Sequence, residues 1–97
     1  MAKVIYSEEA LRDFERIIEF SLGASSGSPG GVVEQIRDAI AMLAEHPLIG
    51  RKRDSLRREL VISRGRSGYV AMYRFDPAQD AVPVLRIRHH REAGFSD

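Results

Sequence analysis

The apolar residues of this 97-residue chain change their spacing near its midpoint, and this change limits the folds open to it. In the first half Leu11, Phe14, Ile17 or Ile18, and Leu22 recur at the interval of a helix with one buried face. In the second half short apolar runs alternate with polar residues, which is the period of β-strands. Helices packed on one face of a small sheet satisfy both patterns, so an α+β domain is predicted.

The first half of the chain predicts one strand and two helices. Residues 3–6 are a β-type run, and Ser7 with two following acids indicates a helix N-cap. Arg12, Asp13, Glu15, Arg16 and Glu19 are expected on the polar face of this helix. A Gly/Ser-rich connection over 23–31 leads to a second amphipathic stripe, which runs from Val32 to Leu43 and stops before Pro47 and Gly50. Together the two stripes predict a helical hairpin.

The second half predicts three strands after a basic irregular segment over 51–54. The turns between the strands are expected at 65–68 and 77–80, and Pro83 fits only a strand start or an edge. In the last strand Leu85 and Ile87 should face the helices while Arg86 and Arg88 point outward. The strands are expected at 58–64, 69–76 and 82–89. The predicted fold is therefore α+β, a small antiparallel sheet with a two-helix hairpin on one face, in the order β-α-α-β-β-β.

Composition excludes several classes of protein. The chain has no Cys, which removes disulfide frameworks, thiolate zinc sites and iron–sulfur clusters. Of the three histidines, His46 stands apart, and His89 and His90 are adjacent and so point to opposite sides of a strand. The glycines at 65 and 68 precede a strand rather than a helix, so they do not form a phosphate loop. No metal and no cofactor are expected.

The chain is expected to be a single domain over residues 1–97, since 97 residues cannot supply two adequate cores. No apolar run is long enough for a membrane span or a signal peptide. We therefore expect a soluble cytoplasmic protein.

Charge is divided unevenly between the two halves. Residues 1–50 hold 4 basic and 8 acidic residues, whereas residues 51–97 hold 11 basic and 6 acidic residues. The basic half could meet an anionic partner, or the two halves could be solvated faces. Ten of its basic residues are Arg, which suits bidentate contacts with phosphate or carboxylate. The candidate binding residues are Arg64, Arg74, Arg86, Arg88, His89, His90 and Arg91.

Two aromatic residues of the strands predicted in the basic second half could serve either chemistry or packing. Tyr69 and Tyr73 could supply a hydroxyl to phosphate chemistry. Their alternation with Ala71 and Phe75 is also what a packed sheet face requires, and this favours a place in the core.

The element order and four sequence segments together resemble the RelE/ParE superfamily of bacterial toxins, which belong to type II toxin–antitoxin systems and are often described as plasmid-stabilisation proteins. The resemblance spans essentially the whole chain. It rests on residues 4–7 with Ala10 and Asp13, on Leu43, Pro47 and Gly50, on residues 68–74 and on residues 84–91.

The resemblance implies one of two activities. RelE-like members are ribosome-dependent messenger-RNA endonucleases, and ParE-like members bind and poison DNA gyrase without being enzymes. A RelE-like nuclease would need no metal, and its candidate catalytic residues here are Arg86, His90 and Arg91. Phe95 stands where such nucleases carry a tyrosine, and only two lysines are present. The ending is more similar to ParE-type members, so gyrase inhibition is the favoured reading.

The resemblance also implies a cognate antitoxin that wraps the toxin. We expect its acidic residues to meet the arginines of the second half. Residues 82–87 are a plausible place for it to pair with the sheet or to bind in a groove. Charge reversal at Arg86 and Arg91 together is expected to weaken antitoxin binding or toxicity.

Overall fold

The computed structural model describes residues 1–24, 29–62 and 68–89. Predicted strands at both ends of the chain and the helical hairpin between them are all present in these residues. The elements are β1 (Lys3–Tyr6), α1 (Glu8–Ala24), α2 (Pro29–Ala41), a 3-10 turn (Met42–Ala44), β2 (Arg51–Lys52), β3 (Arg58–Ile62), β4 (Tyr69–Tyr73) and β5 (Ala81–His89).

The strands of the described residues form one sheet with the order β1-β5-β4-β3-β2. The α+β class and the β-α-α-β-β-β order are confirmed, but the sheet is mixed, because β1 pairs in parallel with β5. Parallel neighbours need a crossover connection, and the helical hairpin with the other strands supplies it. All other pairs of neighbouring strands are antiparallel. A purely antiparallel sheet was therefore too simple an expectation.

The short strand β2 lies in the segment 51–54, which was predicted to be irregular. It contains only Arg51 and Lys52, both exposed, and pairs with Arg58 and Glu59 of β3. Two charged residues carry no alternation of apolar and polar side chains, so their pattern does not predict a strand. The turn predicted at 65–68 lies largely outside the described residues.

The first helix begins where the sequence indicates. The Ser7 hydroxyl accepts a hydrogen bond from the Ala10 N–H at 3.0 Å, which satisfies one free donor of the first helical turn. The same hydroxyl donates to the Leu85 carbonyl oxygen at 2.9 Å. The cap of α1 is therefore also a contact with β5.

One face of the sheet carries the main core. Buried side chains of both helices pack there against the inward residues of β4 and β5. Val70 and Met72, which alternate with these inward residues along β4, form a separate buried cluster on the opposite face. The principal core residues are Ala10, Phe14, Ile17, Ile36, Ile40, Leu43, Tyr69, Ala71, Tyr73, Val82, Val84 and Ile87.

The buried stripe of α1 differs from the expected one. Leu11 is 50% exposed, whereas Ala10 is fully buried and Asp13 is 1% exposed. Ala10, Asp13, Phe14 and Ile17 follow the helical intervals of three and four residues, so Asp13 lies within the buried stripe rather than on the polar face. A buried aspartate requires partners, and they lie on β5.

Candidate partner-binding site

The last five residues of β5 extend beyond the end of β1. Parallel pairing with β1 stops at the Tyr6–Val84 position, so the following backbone groups of β5 need other partners on that side. The first turns of α1 supply them. The Ser7 hydroxyl binds the Leu85 carbonyl oxygen, and Asp13 Oδ2 accepts the Ile87 N–H at 2.8 Å.

A bulge in β5 lies immediately before Arg86. Tyr73 pairs with Val84 and Met72 pairs with Arg86, which leaves Leu85 as an extra residue in β5. The Arg86 guanidinium donates from Nε to Asp13 Oδ2 at 2.9 Å and from Nη2 to Asp13 Oδ1 at 3.2 Å. The register keeps Arg86 opposite Met72, on the face away from the helices, but its side chain does not project freely outward, because its guanidinium reaches Asp13 of α1.

Asp13 is the centre of this network. Arg16 of α1 donates from Nη1 to Asp13 Oδ1 at 3.1 Å, in addition to the bonds from Arg86 and Ile87. Burial by itself would raise the pKa of Asp13, but the hydrogen bonds from Arg86 and Ile87 and the charges of Arg86 and Arg16 outweigh it and lower that pKa. Asp13 is therefore held as a carboxylate that joins α1 to the end of β5.

Two other candidates lie at this same end of the sheet. His89 pairs with Tyr69 across β4 and β5, and their rings meet edge to face with centroids 5.3 Å apart. Arg88 pairs with Val70, which faces away from the helices. Tyr69 is buried in the core. Arg86, Arg88 and His89 thus all lie at the carboxyl end of β5, which we call the β5 end, with Arg88 and His89 on opposite faces of the sheet.

None of the remaining candidate residues is found at the β5 end among the residues that the structure describes. Arg74 follows the other end of β4, where its Nη1 lies 3.9 Å from Asp76 Oδ2. Arg64, His90 and Arg91 lie outside the described residues.

Tyr73, the other tyrosine with two possible roles, is part of the core. Tyr73 is fully buried, and its hydroxyl oxygen accepts a hydrogen bond from the Gly50 N–H at 2.8 Å. Burial raises the pKa of Tyr73, and the bond from Gly50 opposes this only in part. Tyr73 therefore positions the segment before β2 instead of presenting a hydroxyl to a ligand.

Sequence reasoning missed a second arginine cluster at the β2–β3 end. Glu59, largely buried, accepts Arg51 Nε at 3.2 Å and Arg53 Nη1 at 2.6 Å. Asp54 accepts Arg57 Nε at 2.8 Å and the Leu56 and Arg57 N–H groups. These contacts lower the pKa of Asp54 to about 2, chiefly through the Arg57 side chain. The run of alternating arginines beside two acids was the signal available in the sequence.

Neither a metal-binding cluster nor a membrane-spanning helix is found among the residues that the structure describes. Among them no three His, Asp or Glu side chains converge in a way that could hold a metal ion. No helix in the same residues is long and apolar enough to cross a membrane.

Comparison with known proteins places the chain in a family. Residues 4–94 match the family described as the ParE toxin of type II toxin–antitoxin system, parDE. The chain is 34% identical over 92 residues to Toxin RelE3 of Caulobacter vibrioides, and the match covers 95% of this chain and 98% of that protein. The chain therefore belongs to the ParE toxin family, within the RelE/ParE superfamily of type II toxin–antitoxin toxins.

Solved structures agree with this fold. A chain from the chromosomal ParDE system of P. aeruginosa is similar with a TM-score of 0.75 and 18% identity, covering 92% of this chain and 96% of that one. A chain of the intact E. coli RelBE toxin–antitoxin complex gives a TM-score of 0.66 and 20% identity with the same coverage.

Proposed function

We propose that this toxin, acting as one domain in the cytoplasm, inhibits growth by binding DNA gyrase, with the β5 end, His90 and Arg91 as its contact surface. The observation that carries the proposal is that many arginine side chains of the described residues are already bound to carboxylates or backbone carbonyl oxygens of the protein itself. A phosphate-cleaving site needs cations aimed at the scissile phosphate. Here Arg86 binds Asp13, Arg51 and Arg53 bind Glu59, Arg57 binds Asp54, and Arg58 donates to backbone carbonyl oxygens.

The state of the tyrosines supports the same proposal. General acid–base catalysis works best with a group whose pKa lies near the working pH. Burial raises the pKa of Tyr6 and of Tyr73 above the usual value of 10.0, and Tyr69 is buried against His89. Inhibition by binding requires only a complementary surface.

A messenger-RNA endonuclease is the second candidate. It is favoured by the 34% identity to a protein named Toxin RelE3. In that case Arg86, His90 and Arg91 would be the catalytic candidates, with Arg86 able to turn to phosphate only by leaving Asp13.

We also propose that a cognate antitoxin binds this chain. The structural relatives from E. coli and P. aeruginosa come from RelBE and ParDE systems, and the basic second half suits an acidic partner. Pairing along residues 82–87 is excluded, because β5 lies between β1 and β4 and α1 covers the rest of that edge. The edge strands are β1 and β2.

Pulse incorporation of labelled thymidine and methionine, within minutes of inducing the toxin alone in bacteria, tests the proposal. We expect thymidine incorporation to fall first while methionine incorporation continues. Early loss of methionine incorporation would replace gyrase binding with the nuclease activity. Antitoxin co-expression should restore growth.

A matched pair of variants tests the surface. Charge reversal at Arg86 is a poor test, because a carboxylate there would face buried Asp13 and destabilise the fold. Arg91→Glu is expected to abolish the early fall in thymidine incorporation. Arg12→Ala, which removes an exposed arginine paired with Glu8 on α1, should leave it intact. Equal toxicity of both variants would remove Arg91 from the contact surface.

A further inference from the structure

A groove lies at the opposite end of β4 and β5 from His89. It has a volume of about 220 Å³, and its lining combines polar and charged residues with four apolar ones, Leu48, Leu56, Phe75 and Pro77, which we call the distal apolar patch. Leu48 is 58% exposed and Leu56 is 74% exposed. Large apolar side chains grouped at a surface indicate a place where another protein binds.

The patch is built on rigid supports. The Arg58 guanidinium donates from Nη1 to the Leu48 carbonyl oxygen at 3.1 Å and to the Gly50 carbonyl oxygen at 2.8 Å. The Gly50 N–H binds the Tyr73 hydroxyl, and a Cβ at Gly50 would lie 2.6 Å from that oxygen. The backbone of Leu48 is therefore held in place before any partner arrives, which lowers the entropic cost of binding.

The rim of the patch is positively charged. Lys52, Arg57 and Arg58 line the groove together with a single acid, Asp54. Asp54 Oδ2 lies 2.7 Å from Arg57 Nη2, so its charge is used within the turn. The lining as a whole has an excess of positive charge, and it suits a segment that combines apolar anchors with carboxylates.

We propose that the distal apolar patch docks an acidic, amphipathic segment of the cognate antitoxin. This inference rests on the proposed antitoxin partner. A nine-residue strand, about 30 Å long, separates the patch from the β5 end. One antitoxin chain that holds both ends gains effective concentration at the second, so it can displace a target that binds only the β5 end.

The contribution of the apolar side chains to docking is tested by calorimetry, which measures the affinity of purified toxin for its antitoxin. Leu48→Ser with Leu56→Ser should weaken binding at least tenfold. Leu11→Ser removes a similarly exposed leucine from α1 and should change the affinity less than twofold. Circular dichroism melting of each variant checks the fold. Equal affinity of the folded double variant and the control would overturn the proposal.

The contribution of the positive charge is tested with a matched pair of variants, because the chain has two lysines, one at the groove and one on β1. Lys52→Glu should weaken antitoxin binding about tenfold at low salt, and Lys3→Glu on β1 should not. An effect of equal size for both lysines would mean that only net charge matters and would overturn docking at the patch.

The gyrase assay separates this inference from the proposed function. The leucine variants should inhibit gyrase like the wild type while escaping the antitoxin. If they lose inhibition yet bind the antitoxin normally, the patch serves the target and the inference is wrong. If neither the wild type nor any variant inhibits gyrase but the antitoxin affinity of the leucine variants falls as expected, the inference stands and the gyrase assignment fails.

Discussion

Each end of the sheet holds an arginine with an aspartate, but the two ion pairs differ in burial and in sequence separation. Asp13 and Arg86 are 73 residues apart, and the Asp13 side chain is almost wholly buried. Asp54 and Arg57 are three residues apart and substantially exposed. The first pair joins a helix to a strand from the other end of the chain, whereas the second shapes one turn.

The difference separates what supports the fold from what is open to a partner. A buried carboxylate with three donors cannot lose one of them without leaving polar groups unsatisfied. An exposed pair competes with water and contributes little. The predictions below test this contrast, beginning with the largest expected effect.

Asp13→Ala is expected to destabilise the protein by about 3–5 kcal/mol, because it leaves the Arg86 guanidinium and the Ile87 N–H without their acceptor. Urea unfolding followed by circular dichroism measures this loss. Glu8→Ala is the control, since it removes an exposed carboxylate paired with Arg12 on the same helix. The control should change stability by less than about 0.5 kcal/mol. Similar losses in both variants would contradict the contrast.

Gly50→Ala is expected to cost about 1–3 kcal/mol, because the added Cβ would lie 2.6 Å from the Tyr73 hydroxyl and 2.7 Å from the Glu59 carbonyl oxygen. Gly31→Ala is the matched variant. Nothing lies within 4 Å of its Cβ position in α2, so it should be neutral or stabilising by up to about 1 kcal/mol. Thermal melting of both proteins checks the difference, and a harmless Gly50→Ala would show that this segment yields easily.

The contribution of Asp13 should depend on pH. Its pKa is lower in the folded protein than the usual 3.8, so its stabilisation is complete above that value and is lost as pH falls through the folded pKa. The stability gap between wild type and Asp13→Asn should therefore be constant at neutral pH and shrink below about pH 4. Urea midpoints measured from pH 3 to pH 7 test this, and a gap that widens in acid would contradict it.

Asp54→Asn is expected to have the smallest effect. The pKa of Asp54 falls to about 2 because of Arg57, yet the carboxylate is exposed and acts within one turn. Hydrogen exchange at the Leu56 and Arg57 amides should become faster, since both donate to Asp54. The melting temperature should hardly change, and a large drop would show that this turn supports the whole sheet.

The sequence predicted the parts of the fold that depend on local signals. The Ser7 cap, the two helices and the alternation in β4 follow from spacing and residue type, and all are confirmed. The parallel pairing of β1 with β5 and the bulge at Leu85 depend on contacts between residues far apart in the chain, which local patterns do not encode.

The candidate site was predictable only in part. Arginines at the end of β5 could be found from composition, but the contact of Arg86 with Asp13 joins residues 73 apart in the chain, which local patterns do not encode. Asp13 could have been placed correctly, because its spacing from Ala10 and Ile17 puts it in the buried stripe. A charged residue at such a position indicates a buried ion pair with a distant partner.

The most direct test of gyrase binding adds purified toxin to gyrase, relaxed plasmid and ATP. The account predicts loss of supercoiling and accumulation of cleaved plasmid as toxin increases, both reversed by the antitoxin. Normal supercoiling at a large excess of toxin, together with cutting of ribosome-bound messenger RNA by the same preparation, would contradict it.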